Sequence, residues 1–429
     1  MIIYVVEAGD TMESIADKFR VSMTRLILEN GITNPNDLVI GQTIVIAYPK
    51  ETYMVKEGDT LSEIAISHGV SIMQLLRNNP FLLDRDYIYP GEEIIIRYDT
   101  KASITTNAYA FPFIEDKILK KSLPYLTYLS ILNYKTSRKG EIDSYYDDTD
   151  LIRTAKQYGV VPLMLLSSLT FQGERNPEII YEILLNPTYQ ERHAQNMLTV
   201  LKEKGYYGVN ITITFLNETT QDLYVKYLQR ITNILKKENY LVFITIDPNF
   251  MRENNQTVFE NVDYTNFNEL VDEAYLMRFF WGTQYGPPMP VSSLADISLY
   301  VNYITQMFNP KKINIGFPLL GYDWILPYIE GFSEANALTL DSAIDLARTT
   351  ESIIYFDEVS KTPYFEYSID VKSRDIKHIV WFVDARTIYA IINLVINDRL
   401  QGAGLWNIMS HYPQLWLIIN VNCDIQKLI

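Results

Sequence analysis

The chain has 429 residues, with 52 Asp plus Glu against 37 Lys plus Arg and a formal net charge of −15. That length exceeds one typical domain, and 48% hydrophobic with 21% charged residues is a globular composition that excludes long disorder. An acidic balance with no basic patch argues against nucleic acid or an anionic membrane as partner, while the many carboxylates keep a glycosidase or metal site open.

Cys423 is the single cysteine, so an intramolecular disulfide framework is excluded. The four histidines, His68, His193, His378 and His411, stand far apart without zinc-ligand spacing, so no metal and no cofactor is expected. The N-terminus lacks a charged segment followed by a long apolar run, and no stretch reaches the ~18 apolar residues of a membrane span. The protein is therefore expected to be made in the cytosol without a signal peptide.

In chain order, the first feature is an internal repeat. Residues 4–16 read YVVEAGDTMESIA and residues 53–65 read YMVKEGDTLSEIA. The correspondence continues through Val21/Val70, Leu26/Leu75, Asn30/Asn79 and Gly41/Gly91, which means two copies of one small unit. Each copy predicts a short strand, a Gly-Asp-Thr turn, two helices ending near Asn30 and Asn79, and a closing strand. Thr60 followed by Glu63 fits a capping box, with Ser14 at the corresponding place in the first copy.

This pattern resembles the LysM domain, a β-α-α-β module that binds N-acetylglucosamine chains. The resemblance covers residues 2–48 and 52–98. It implies a sugar groove between Gly9-Asp10-Thr11-Met12 and Asn30-Gly31-Ile32 in the first copy. In the second, the groove would lie between Gly58-Asp59-Thr60-Leu61 and Asn79-Pro80-Phe81-Leu82. Backbone groups of two loops can grip an acetamido group while apolar side chains cover its methyl. The same residues can instead simply cap the helix and shape the turn.

From about Lys101 the rhythm changes. Apolar runs such as VVPLMLLSSL, GVNITITF, YLVFITID, INIGFPLL and GAGLWNI alternate with helical stretches such as Gln221 to Lys237. Strand-helix alternation over residues 101–429 predicts an α/β fold, a (β/α)8 TIM barrel, with a small α+β insertion at about 321–384. GVNI at Gly208–Ile211, WGTQYGPPMP at Trp281–Pro290, GYDWILP at Gly321–Pro327, VWFVDAR at Val380–Arg386 and GLWNI at Gly404–Ile408 resemble the glycoside hydrolase family 18 barrel. More closely, they are similar to its LysM-bearing spore cortex-lytic N-acetylglucosaminidases.

Family 18 enzymes carry D-x-x-D-x-D-x-E on the fourth barrel strand. There the Glu protonates the glycosidic oxygen, the preceding Asp orients the substrate acetamide, and that acetamide is the nucleophile. Carried onto this chain, the four acidic positions are Tyr207, Asn210, Thr212 and Thr214. A threonine hydroxyl is far too weak an acid to protonate a leaving group, and general acid catalysis is worth roughly 10²–10⁴ in rate. On the sixth strand, Phe279 and Phe280 stand where the family has Tyr and Asp. Trp406 resembles the aromatic floor under the sugar, and Trp281 could help to hold one. Glu218, Asp247 and Glu174 are candidates for a relocated acid, although each is more often a solvated loop charge, and displacing an acid by about an ångström is costly.

The resulting expectation is a family 18-like protein without turnover that binds peptidoglycan or another N-acetylglucosamine polymer. Its place would be the spore surface, in coat or exosporium, with other coat proteins or its own copies as further partners. A weak or altered cortex N-acetylglucosaminidase and a lectin-like domain holding sugar on Trp406 and Trp281 are the alternatives.

Overall fold

The computed structural model describes residues 1–85, 87–167, 176–247, 250–253, 256–277 and 284–429. In the first module β1 (Ile2–Val5) pairs antiparallel with β2 (Thr43–Ile46), and α1 (Met12–Phe19) and α2 (Met23–Asn30) lie between them. Thr11 and Ser14 form a reciprocal capping box at the start of α1. Two donors that every helix leaves without a partner are met there. Ile15, Ala16 and Leu26 pack against Ile44 and Ile46. The second module repeats this with β3 (Glu51–Met54), α3 (Leu61–His68), α4 (Ile72–Asn78) and β4 (Glu93–Arg97), over a core of Ile64, Leu75, Ile94 and Ile96. Both match the predicted β-α-α-β order.

The rest is built on strands β5 (Ala102–Ala110), β6 (Tyr128–Thr136), the short β7 (Ile142–Ser144) hairpinned onto β6, β8 (Val161–Ser167), β9 (Gly208–Ile213) and β10 (Leu241–Ile246). A hairpin of β11 (Phe250–Glu253) and β12 (Gln256–Phe259) precedes β13 (Glu273–Leu276) and β14 (Ile313–Pro318). The insertion follows, with β15 (Gly321–Leu326), β16 (Asn336–Leu338), β17 (Tyr355–Asp357), β18 (Thr362–Val371) and β19 (Arg374–Trp381). The chain returns to the barrel with β20 (Gly402–Trp406) and ends with β21 (Cys423–Ile425) beside β5. Strands β5, β6, β8, β9, β10, β13, β14 and β20 are parallel, and the β20–β5 and β5–β6 pairings close them into the eight-stranded barrel.

Helices α5 (Asp116–Ser122), α6 (Thr149–Gln157), α7 (Pro177–Leu184), α8 (Pro187–Lys204), α9 (Gln221–Leu235), α10 (Thr265–Leu270) and α11 (Leu294–Ile304) follow the strands. Then come α12 (Leu340–Thr349) in the insertion, α13 (Ala385–Asn397), and α14 (Pro413–Asn422) after the last barrel strand. Strand residues alternate between two environments. Val209, Ile211 and Ile213 face outward into the main core with Leu201, Leu228 and Ile231 of the surrounding helices. Inside, Tyr128, Leu163, Phe243 and Tyr275 form one cluster, and Tyr109, Leu165 and Met277 another, with Trp406 packed on it.

Strand β5 was missing from the apolar runs that pointed to a barrel. Its centre is Thr105, Thr106 and Asn107, all buried, and apart from the Asn107 amide nitrogen their side chains find partners inside. Thr105 bonds Asn314 at 3.2 Å, Thr106 the Tyr125 carbonyl at 2.6 Å, and Asn107 accepts from Ser130 at 3.1 Å. The insertion is an antiparallel sheet in the order β16-β15-β19-β18-β17. Val39 of the first module joins Ala343, Ala347, Phe365 and Val380 in its core. No helix among the described residues is long and apolar enough to cross a membrane.

Candidate functional site

Strand β9 carries the motif positions. Asn210 points into the barrel, where its amide donates to the Tyr109 hydroxyl at 3.2 Å and to Ser130 at 3.1 Å. Its oxygen accepts from Thr245 at 2.8 Å, and Tyr109 and Thr245 bond each other at 2.9 Å. This network, which the sequence did not point to, saturates the Asn210 side chain and fixes the strand that leads to the barrel mouth. Burial pushes the Tyr109 hydroxyl far above its ordinary range, so it is a neutral partner here.

Alternation puts Thr212 on the same side of the strand as Asn210, and it is buried. Thr214, one residue past the strand, is also buried, and Tyr224 of α9 engages both its carbonyl and its hydroxyl. Thr214, the residue expected from the sequence at the place of the family acid, is thus tied to a tyrosine on the outer helix layer. Tyr207, the first motif position, lies before the strand at the opposite end, half exposed, with the Lys156 ammonium 5.3 Å from its ring.

Trp406 ends β20 and sits over the interior, its ring 5.5 Å from Tyr109 and packed on the cluster of Leu165 and Met277. Phe279, Phe280, Trp281 and Glu174 lie outside the described residues. Glu218 is exposed, in a turn where Asn217 accepts from the backbone of Thr219 and Thr220 at 2.9 and 3.0 Å. Asp247 follows β10, half buried; burial pushes up the Tyr300 hydroxyl of α11, with a lesser contribution from the Asp247 charge. Neither adjoins Thr214 through a described contact.

One carboxylate does enter the barrel, at the other end. Glu273, first residue of β13, accepts from Tyr128 at 3.0 Å, Tyr275 at 3.0 Å and Asn314 at 2.8 Å. Desolvation raises its carboxyl to about 7 against the pull of those donors. It sits where strands begin, whereas catalytic groups of such barrels sit where strands end, so it reads as floor structure. No sequence signal marked it, since GluAlaTyrLeu looks like any strand start.

In the modules, most predicted sugar contacts are engaged by the fold itself. Asp10 accepts from Tyr4 at 2.7 Å and the Glu7 amide at 2.8 Å, and Asp59 does the same with Tyr53 at 2.9 Å and Lys56 at 2.7 Å. Thr11 and Thr60 cap their helices. Asn30 clamps its helix end to β2 through Leu26 and Val45, and Asn79 clamps its own to β4 through Leu75 and Ile95. Met12, Ile32 and Leu82 are buried, and Leu61 packs on its core. Gly9 and Gly58 have open space around them, whereas Gly31 lies against Pro413 of α14, 2.6 Å from where a Cβ would stand. What the loops present outward is backbone, together with half-buried Pro80 and Phe81.

The sequence model described as Glycosyl hydrolases family 18 matches residues 146–410, and the LysM domain model matches residues 4–47 and 53–97. The cortical fragment-lytic enzyme of Bacillus subtilis strain 168 is 31% identical over 434 residues, covering 100% of this chain and 99% of that protein. The crystal structure of the spore cortex-lytic enzyme SleL of Bacillus megaterium QM B1551 superposes with a TM-score of 0.80 at 30% identity, covering 100% of this chain and 99% of that one. Bacillus cereus SleL does so with a TM-score of 0.79 at 27% identity, covering 99% of both. The names of these relatives speak for lytic chemistry in those proteins.

Proposed function

The chain belongs to glycosyl hydrolases family 18 and carries two LysM domains, and on that premise we propose that it recognises N-acetylglucosamine-containing peptidoglycan of the spore without cleaving it. The observation that carries the reading is the pair Thr212 and Thr214, buried at the positions of the family's Asp and Glu. A hydroxyl cannot supply the proton that the departing sugar oxygen needs, and the carboxylate that would orient the acetamide is replaced as well. Trp406 and the LysM loops keep surfaces on which a glycan can rest. Made in the cytosol and deposited on the spore surface, in coat or exosporium, the protein would hold glycan there, in contact with other coat proteins or its own copies.

A second reading has its own support. Relatives matching the whole length are named cortical fragment-lytic enzymes, which favours a weak or altered N-acetylglucosaminidase. One assay divides the two. The pure protein is incubated with cortex fragments, new reducing ends are followed, and retention on intact peptidoglycan is measured in parallel. Retention without new ends is the expected result. Turnover above a Trp406→Ala control ends the first reading in favour of the second. Absence of retention, together with ordered arrays of the protein, would leave a purely structural role.

The substitutions also have a stability rationale. Inward carboxylates are desolvated and repel each other, a cost that active sites tolerate. Thr212→Asp with Thr214→Glu is expected to lower the melting temperature. An unchanged or higher one speaks against it.

A further inference from the structure

A cleft of about 800 Å³ opens between the two LysM modules and the barrel, a volume in the range of small-molecule sites. All three bodies line it. The first module gives Leu28 and Glu29 of α2, the second gives Phe81, and the barrel gives His411 and Trp416. The Gly9–Met12 and Gly58–Leu61 loops take no part, so it is not the groove between the two loops of either module.

Its chemistry selects a ligand class. The cations of the lining are already paired: Arg25 with Glu29 at 2.7 Å, Arg85 with Glu92 at 2.6 Å, Lys121 with Asp84 at 2.9 Å and Arg77 with Asp424 at 3.0 Å. An anionic ligand would have to break such a pair and strand one partner, which is costly in a partly dehydrated cleft. His411 adds no charge: its Nδ1 accepts from the Trp416 indole at 3.1 Å, and burial lowers it to about 4.

The apolar part of the lining consists of faces. Leu28 is 61% exposed, and the Phe81 ring carries the Arg85 guanidinium 5.2 Å from its centre. Arg85 also lies within 5.7 Å of Tyr87 and 5.3 Å of Tyr89, both exposed, so an aromatic apron continues outward from Phe81. Flat apolar faces interleaved with planar, paired polar groups suit a molecule with hydroxyls and amides at its edges and C–H faces above and below.

We propose that this cleft binds a neutral oligosaccharide segment, so that barrel and modules hold one glycan jointly. The inference rests on glycan recognition by the protein and adds where one glycan segment is held. The test is calorimetric titration of the full-length protein with tetra-N-acetylchitotetraose, in wild type and in Leu28→Lys, His411→Ala and Glu57→Trp. Leu28 is exposed, so its variant should fold normally, and circular dichroism checks His411→Ala. Affinity at least fivefold weaker in Leu28→Lys and in a folded His411→Ala is the expected result. Affinity unchanged in Leu28→Lys but lost in Glu57→Trp, which crowds the Gly58–Leu61 loop, overturns the cleft and leaves LysM glycan recognition standing. A wild type that binds no neutral oligosaccharide overturns both.

Discussion

The two LysM copies share a fold and differ in what holds them. Each has its asparagine clamp, its capped first helix and its small apolar core, and each rests on α14, where it meets a buried amide of the barrel. Gln414 donates to Thr43 at 2.6 Å and to Asn30 at 3.1 Å. Asn420 donates to Asn78 at 2.8 Å and accepts from Arg77 at 3.1 Å. The first copy is gripped a second time by the insertion. Ile354 donates its backbone amide to Ile40 at 2.9 Å, and Arg348 bonds the Asp37 carbonyl at 2.9 Å. The second copy is gripped instead by the start of the barrel domain: the Tyr125 hydroxyl donates to the Arg77 carbonyl at 2.8 Å and Lys121 of α5 pairs with Asp84 at 2.9 Å, and this copy carries the exposed Tyr87 and Tyr89. Similar modules are thus held by different partners: the insertion for the first, α5 and the chain just before β6 for the second.

The sharpest way to break that comparison is at Gly41 and Gly91, which occupy the same turn with φ of 88° and 87°. A Cβ at Gly41 would stand 2.0 Å from the Ile354 carbonyl oxygen, while nothing lies within 4 Å at Gly91. Alanine at either costs about 1–2 kcal/mol for its left-handed backbone, and at Gly41 about 1–3 kcal/mol more for the overlap. Calorimetric melting should show Gly41→Ala as clearly the worse. Equal losses would mean that the insertion does not hold the first copy.

Next in size is a pH effect belonging to the barrel. Glu273 has its folded pKa raised to about 7 by desolvation, so between the unfolded value of about 4.3 and 7 the folded state binds more protons. Stability therefore falls as pH rises through that window and stays lower above it, by about 4 kcal/mol if this group acts alone. Glu273→Gln should flatten the difference between denaturation midpoints at pH 5 and pH 8. A wild type whose stability does not fall across that range contradicts the assignment.

Smaller losses separate the two amides of α14. Gln414→Ala leaves buried partners on the first module without a hydrogen bond, and Asn420→Ala does so on the second, each at about 1–3 kcal/mol. Hydrogen exchange should then rise in β1 and β2 for one variant, and in β3 and β4 for the other. The smallest effect is expected for Lys121→Ala, which removes an ion pair to half-exposed Asp84 worth about 0–1 kcal/mol.

Much of this was legible in the residues. The repeat announced itself because GDT turns and helix caps are local devices that a short string fully specifies. The barrel showed through strands buried on both faces, which read as apolar runs. Strand β5 escaped because its Thr105, Thr106 and Asn107 are polar and buried, and the groups that they bond, Asn314, Tyr125 and Ser130, lie at a distance in sequence. The same holds for Glu273, two of whose three donors, Tyr128 and Asn314, come from other strands.

What the sequence determined by itself was the modular order and the barrel, since each is a matter of residue type at a fixed spacing. Only the tertiary structure decided that the copies are held by different parts of the barrel domain and that a paired-charge cleft lies between three bodies. Those facts depend on burial and on contacts between residues hundreds of positions apart. No local pattern encodes them, because the partners are brought together only by the closed barrel.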